Sequence, residues 1–444
     1  MGKTDHRTKE QSEYRRIFYL CSMLQKIKLE ESFILLLLVG YVFVSGLAIP
    51  LRLDEESRWF SVPYRLLVAG MSLLIMYRNR RSALWKHLSV VSFFLFWVFY
   101  TAKAVYSFGT DYYLPDFIVT EYEIYARLLL IVILPSAAAM MVDYSKLNLR
   151  WILVRSFWVL FAMIGANLLY GIITYEPARE FELKHIFTVY YISYGHIGTS
   201  LCLVALYFLW FEPASVREKI AYAVALLLGL FTIVEGSARS PFVALAVCVA
   251  YLLLVKRSRL WSGLAVGSLV LFGAFMIFYS ANRWEFLPFI NRTYNWLAYG
   301  DNSLRTPLFE YAWNIFKESP LIGGRVLFED GSYPHNLFLE LLMATGLVGF
   351  ILYFLKFIPV VRYLPIFFAR TKAPNRLILL FALFLQYFVL VLTSYPLYGT
   401  PEFLHFSGII IGVSLTLIYE KTKSNDGRGY ATGDYPLVES DRCA

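Results

Sequence analysis

The stretch "GSYPHNLFLELLMATGLVG", Gly331 to Gly349, decides how this chain must be read. From Leu337 it is apolar, and the apolar run continues to about residue 358. A helix of that length crosses the roughly 30 Å hydrocarbon core of a bilayer. Its mouth nevertheless carries Pro334, His335 and Asn336, and Glu340 follows about one and a half turns inside. An imidazole, an amide and a carboxylate at the entrance of a membrane segment call for a chemical reason.

Working outward, the chain has 444 residues, of which 58% are hydrophobic and only 16% charged. Soluble domains carry about a quarter charged residues, so most of this chain is built for lipid. Hydropathy and length predict about twelve spans, at approximately 33–51, 61–77, 87–107, 124–142, 151–174, 190–211, 219–235, 240–256, 260–280, 335–358, 376–395 and 402–419. The fold class is an all-α polytopic membrane protein. A barrel would alternate with period two instead. Cys21, Cys202, Cys248 and Cys443 show no pairing or metal spacing. The N-terminal "MGKTDHRTKEQSEYRR" is too polar for a cleaved secretory signal. The net charge of +9 forms no basic stripe on a soluble domain, so no nucleic-acid partner is expected.

Lysine and arginine cluster in every second connection, in the N-terminal arm and around Arg78–Lys86, Lys256–Arg259 and Arg362–Arg376. The positive-inside rule then puts both termini in the cytoplasm. The expected division is a 1–32 arm, spans one to nine over 33–280, an outer loop over 281–334, three further spans over 335–420 and a polar, disordered 421–444 tail. The outer loop runs against the charge rule, with Arg283, Arg292, Arg305, Lys317 and Arg325. Within it, "SLRTPLFEYAWNIFKESPLIGG" predicts an amphipathic helix with Leu308, Tyr311, Ala312, Ile315 and Phe316 on one face. A folded outer loop rich in arginine asks for an anionic partner.

His335 exchanges a proton near neutral pH. Asn336 and Glu340 share a helix face. Arg239, in "VEGSARSPFVAL", opens a helix, where an anion would gain from the guanidinium and from free backbone N–H groups. Arg305 opens the loop helix. Arg127 lies near the outer end of span four, and His196 sits between Gly195 and Gly198 in span six. Ionisable groups inside spans usually face a cavity or a partner. Each residue also has a plain structural reading: an interfacial histidine, an arginine snorkelling to headgroups, a solvated charge, a close helix contact. No metal or phosphate-loop motif is present, and no cofactor is expected.

Together these pieces resemble the bacterial O-antigen ligase and O-antigen polymerase superfamily. The resemblance rests on the arginine of "GSARSPFVAL", on Arg305, on Pro320-Leu321-Ile322-Gly323, on His335-Asn336 with Glu340, and on Gly346 with Gly349. It implies a GT-C-like glycosyltransferase in the bacterial inner membrane with its active site facing the periplasm. His335, Arg239 and Arg305 would be catalytic, and Asn336, Glu340, Arg292, Arg325, Arg127 and His196 would bind substrate. The implied donor is an oligosaccharide on undecaprenyl diphosphate, the transfer inverting and independent of metal. The acceptor is a second lipid-linked unit for a polymerase, the branch that "YPHNLFLE" resembles more, or lipid A-core for a ligase. The resemblance also admits a chain-length regulator protein and membrane lipid as partners. A twelve-span transporter is the alternative without catalysis. A site near the midplane would favour it, and an outer cavity lined by Arg239, Arg305 and His335 would favour the transferase.

Overall fold

The computed structural model describes residues 29–48, 58–111, 113, 121–173, 191–236, 238–257, 263, 305–369 and 375–425, and the fold is read from these. Among them there is no strand. In chain order the helices are α1 (Leu29–Leu35), α2 (Tyr41–Ala48), α3 (Arg58–Arg78), α4 (Leu88–Thr110), α5 (Glu121–Arg127), α6 (Leu134–Met141), α7 (Leu149–Ile173) and α8 (Tyr191–Phe211). They continue as α9 (Val216–Glu235), α10 (Arg239–Lys256), α11 (Arg305–Glu318), α12 (Leu337–Leu355), α13 (Ile358–Arg362), α14 (Leu364–Phe368), α15 (Leu377–Thr393) and α16 (Pro401–Asn425). Two π-helical turns, Leu36–Gly40 and Leu128–Ile133, join α1 to α2 and α5 to α6.

Among the described residues, nine helical runs are long and apolar enough to cross a membrane. Two more expected spans are present as α15, with 17 residues, and α9, which opens on Arg217, Glu218 and Lys219. Apart from residue 263, the span expected at 260–280 and the first part of the outer loop, 281–304 with Arg292, lie outside the described residues. The last helix runs to Asn425, beyond the expected boundary at 420, because hydrogen bonding carries a helix past its apolar stretch. Cys202 and Cys248 are free and buried.

Burial ranks the helices by position. The Ile192–Phe211 and Pro401–Glu420 runs are each 83% buried, against 28% for Trp59–Arg78, so α8 and α16 are central and α3 peripheral. Lipid offers no hydrophobic drive between helices, so close backbone approach through small residues has to hold them. A Cβ on Gly198 of α8 would lie 2.8 Å from the Gly229 carbonyl of α9, and one on Gly412 of α16 would lie 2.5 Å from the Ala139 carbonyl of α6.

The feature that positions the site is a break in α12. Gly346 sits at φ 60°, ψ −161°, a conformation open to glycine and strained for other residues. It lies midway along the 19-residue helix, about 14 Å from its start at 1.5 Å per residue. The Pro320–Gly323 turn fills the break. Leu347 and Val348 donate their N–H groups to the Pro320 and Leu321 carbonyls (2.9 and 3.0 Å), and Gly324 donates to Met343 (2.8 Å). From α4, Lys103 Nζ donates to the Gly323 carbonyl at 2.9 Å. Irregular backbone at membrane depth is tolerated only when its polar groups are satisfied in this way. Ala312 and Ile315 of α11 pack with Phe328 and Met343 in a small core of their own. The loop therefore reaches down to mid-depth of α12 as well as lying at the helix ends. Tyr311, expected on the buried face of α11, is 41% exposed, with its ring 4.9 Å from that of Phe328.

Candidate active site

His335 stands between the loop and α12 at φ +52°. A non-glycine residue there is uncommon and mildly strained, and such strain persists where the surroundings impose it. The surroundings are Tyr333, Asn336 and the segment after α15. His335 Nδ1 hydrogen bonds the Ser394 carbonyl, and Tyr333 donates its hydroxyl to the same oxygen at 3.1 Å. The Tyr333 and His335 rings are 4.3 Å apart between centroids. A carbonyl only accepts, so Nδ1 carries the proton and Nε2 of the neutral ring holds the lone pair. Burial lowers the His335 pKa from its ordinary 6.5; the Ser394 carbonyl opposes this and the Arg305 charge adds to it. Arg305 of the loop is thus near enough for its charge to bear on the imidazole.

Asn336 is the N-cap of α12. Its Oδ1 accepts from the Phe338 and Leu339 N–H groups (3.1 and 3.2 Å), and its Nδ2 donates to the Leu392 carbonyl at 3.4 Å. Glu340 is fully buried, and the Leu397 N–H donates to both its carboxylate oxygens, at 2.9 and 3.0 Å. Two side chains expected to hold substrate therefore hold the protein. Asn336 fixes the start of α12, and Glu340 fixes the Ser394–Thr400 connection whose first carbonyl orients His335. The physical reason is that a helix start leaves orphan N–H groups and a buried carboxylate must find donors.

Arg239 and Arg305 are each the first residue of a helix, α10 and α11. Ala238, the N-cap of α10, supplies no side-chain cap to the first turn of that helix. Ser240, next to Arg239, hydrogen bonds His196 Nε2 at 3.2 Å. Arg325 pairs with Glu329 at 3.1 Å and lies over the Tyr113 ring, 5.0 Å from its centroid. Arg127 pairs with Glu123 at 2.7 Å. Arg127 and His196 line one cavity of about 240 Å³ that Arg239, Arg305 and His335 do not line, so the expected outer cavity bordered by those three is not the one enclosed here. Among the described residues, no three His, Cys, Asp or Glu side chains group so as to hold a metal ion.

Residues 224–354 match the profile of the O-antigen ligase family. The matched segment contains Arg239, Arg305, the Pro320–Gly323 turn, His335 and the broken helix in which that turn is seated. Over this segment the chain is similar to the O-antigen ligase family, which supports the O-antigen ligase and polymerase superfamily. The match supports a role in O-antigen assembly as polymerase or ligase, and a glycosyltransferase-like enzyme. No curated protein matches the chain.

Within the superfamily segment, the geometry explains the motif. Gly346 makes the break and Pro320–Gly323 fills it, so their recurrence in one chain is one contact seen from two sides. The partners of the motif lie beyond the matched residues. Ser394 and Leu397 are engaged through backbone atoms, which no side-chain pattern reports. Tyr333 was overlooked, although an aromatic two residues before a candidate base was a readable signal. Glu402 and His405 were also overlooked, although two ionisable residues inside an apolar helix are the kind that merit attention.

Proposed function

We propose that the protein is an O-antigen polymerase that joins undecaprenyl-diphosphate-linked oligosaccharide repeats at the periplasmic face of the bacterial inner membrane. One observation carries the reading: a histidine whose tautomer is fixed by the Ser394 carbonyl stands within the field of Arg305 at the start of a membrane helix. An acceptor hydroxyl attacks the anomeric carbon of the donor with inversion. The carbon–oxygen bond to diphosphate breaks, and the hydroxyl proton passes to His335 Nε2. Undecaprenyl diphosphate leaves with its charge stabilised by Arg239 and Arg305, whose planar forks suit phosphate oxygens without a metal. The alternation of basic connections supports a periplasmic site with cytoplasmic termini.

Ligation to lipid A-core is the second reading, favoured by the description of the matched family as O-antigen ligase. Purified protein supplied with lipid-linked repeats, with and without lipid A-core, separates them. A ladder on the lipid carrier is the expected product. Single transfer to core would assign ligation, and neither product would overturn glycosyl transfer in favour of transport.

A further inference from the structure

The 240 Å³ cavity lined by Arg127 and His196 has features of a built binding site. Both π-helical turns border it, through Leu37 and Leu38 of the first and Ile131 of the second. Such turns are rare, and they recur at functional sites because they widen a helix and release a carbonyl from its ladder. Here the Leu36 carbonyl accepts the Tyr64 hydroxyl at 2.9 Å, and the Ile131 carbonyl accepts His405 Nε2 at 2.7 Å. Tyr64 and His405 both line the cavity. Two helices are thus distorted around the same space.

The walls ask for a polar guest. His196 is 1% exposed, its Nε2 faces Ser240, and its buried Nδ1 has no partner. Arg127 Nε is likewise buried without one. An unfilled cavity is stable when apolar, whereas polar walls need partners. Arg127 is already paired with Glu123, and Glu402 brings a carboxyl to the same wall as Arg65. A diphosphate gains little from balanced charge, while an uncharged polyol loses nothing. Tyrosines at 41, 64, 387, 395 and 398 supply apolar ring faces with hydroxyl tips, and the Ser193 and Tyr395 hydroxyls meet at 2.9 Å. The cavity, of about 240 Å³, has room for a sugar ring.

We infer that this cavity binds a single uncharged sugar ring of a glycan substrate, beside the reacting bond; the inference rests on the glycosyl-transfer reading for its choice of glycan. Tyr395 and Tyr398 on its wall belong to the connection that begins with Ser394, the residue that orients His335. An occupied cavity and an aligned base therefore share one strip of backbone.

The test uses full-length protein in a sugar-free detergent and saturation-transfer NMR with methyl glycosides of glucose, galactose, N-acetylglucosamine and rhamnose. At least one glycoside is expected to receive saturation. Inorganic pyrophosphate should not displace it, and Ser193→Leu, which fills the space, should abolish the signal. Tyr398→Phe keeps the ring and removes one hydroxyl, so it tests the site even if Ser193→Leu does not fold. Roughly two- to tenfold weaker binding is expected from one lost hydrogen bond. No saturation above that of mannitol, displacement by pyrophosphate, or wild-type binding in folded variants would each overturn the assignment. In a parallel transfer assay, Tyr398→Phe should raise KM, with kcat kept, for whichever of donor and acceptor supplies the ring. Transfer without glycoside binding defeats the cavity assignment alone. Glycoside binding without transfer defeats the enzymatic reading alone.

Discussion

The Glu340 carboxylate of α12 receives the Leu397 N–H on both oxygens, at 2.9 and 3.0 Å, with the side chain wholly buried. This bond ties the helix that follows His335 to the connection whose Ser394 carbonyl holds the imidazole. Glu340 thereby fixes the position of the segment that holds the imidazole.

Replacing Glu340 with leucine strands the buried Leu397 N–H. The cost of such an orphan is about 1–3 kcal/mol. Glu340→Leu should melt lower in detergent and lose activity, while Glu340→Gln, which keeps one acceptor, should fall between. A Glu340→Leu protein with wild-type melting and turnover would show that the tie does not matter.

Gly346→Ala and Gly323→Ala should be the most damaging small substitutions in the chain. Both glycines have positive φ, and an added Cβ would lie 2.5 Å from the Leu321 backbone or 2.4 Å from the Thr345 nitrogen. Backbone cannot swing aside as a side chain does. Gly70→Ala, which meets nothing within 4 Å, should stay within about 0.5 kcal/mol of wild type. Comparing yields of folded protein by size exclusion checks all three, and equal yields would contradict the docked turn.

Arg239→Lys and Arg305→Lys keep charge and lose the planar fork. Removing one preorganised donor at a developing anion costs about 10²–10³ in rate. Single-turnover rates with lipid-linked repeats should fall by that factor in each variant. Near-normal rates in either would remove that arginine from the leaving-group site.

The pH profile tests His335. Burial and Arg305 lower its pKa below the ordinary 6.5, so the neutral base dominates at pH 7. Activity should be level above about pH 6.5 and decline on the acid side as the ring takes its proton. His335→Gln should remove the acid limb and lower turnover by about 10²–10⁴. A limb that survives in His335→Gln places the base elsewhere.

Chelation offers an independent check. With arginines carrying the diphosphate charge, product formation should continue in EDTA. Complete loss restored by a single divalent ion would replace the arginine-based chemistry with a metal-based one.

Much of this architecture was legible. Long apolar runs mark α12 and α16 because lipid selects for length and hydropathy alone. The amphipathic face of α11 was readable from its spacing, and Ala312 and Ile315 are indeed its buried residues. Asn336 admits two readings in the sequence, holding the helix start or the sugar, and its place before an apolar run is the cap signal that the structure displays. The π turns at Leu36–Gly40 and Leu128–Ile133 were invisible, since "LLLVG" and "LLLIVI" differ from ordinary helix in no residue type. The cavity they border was hidden for the same reason. Gly346 showed as half of a Gly-x-x-Gly pair, but only the three-dimensional contact reveals that a preceding segment supplies its missing acceptors.

That last arrangement bears on how the protein is made. The amides of Leu347 and Val348 rely on acceptors from Pro320 and Leu321, which leave the ribosome 27 residues earlier. If span ten entered lipid with its break unfilled, it would carry bare donors into hydrocarbon, at several kcal/mol each. In the folded chain the 305–324 segment supplies those acceptors while Lys103 of α4 holds its Gly323 carbonyl. A stretch of chain made earlier thus completes the hydrogen bonding of the helix that follows it.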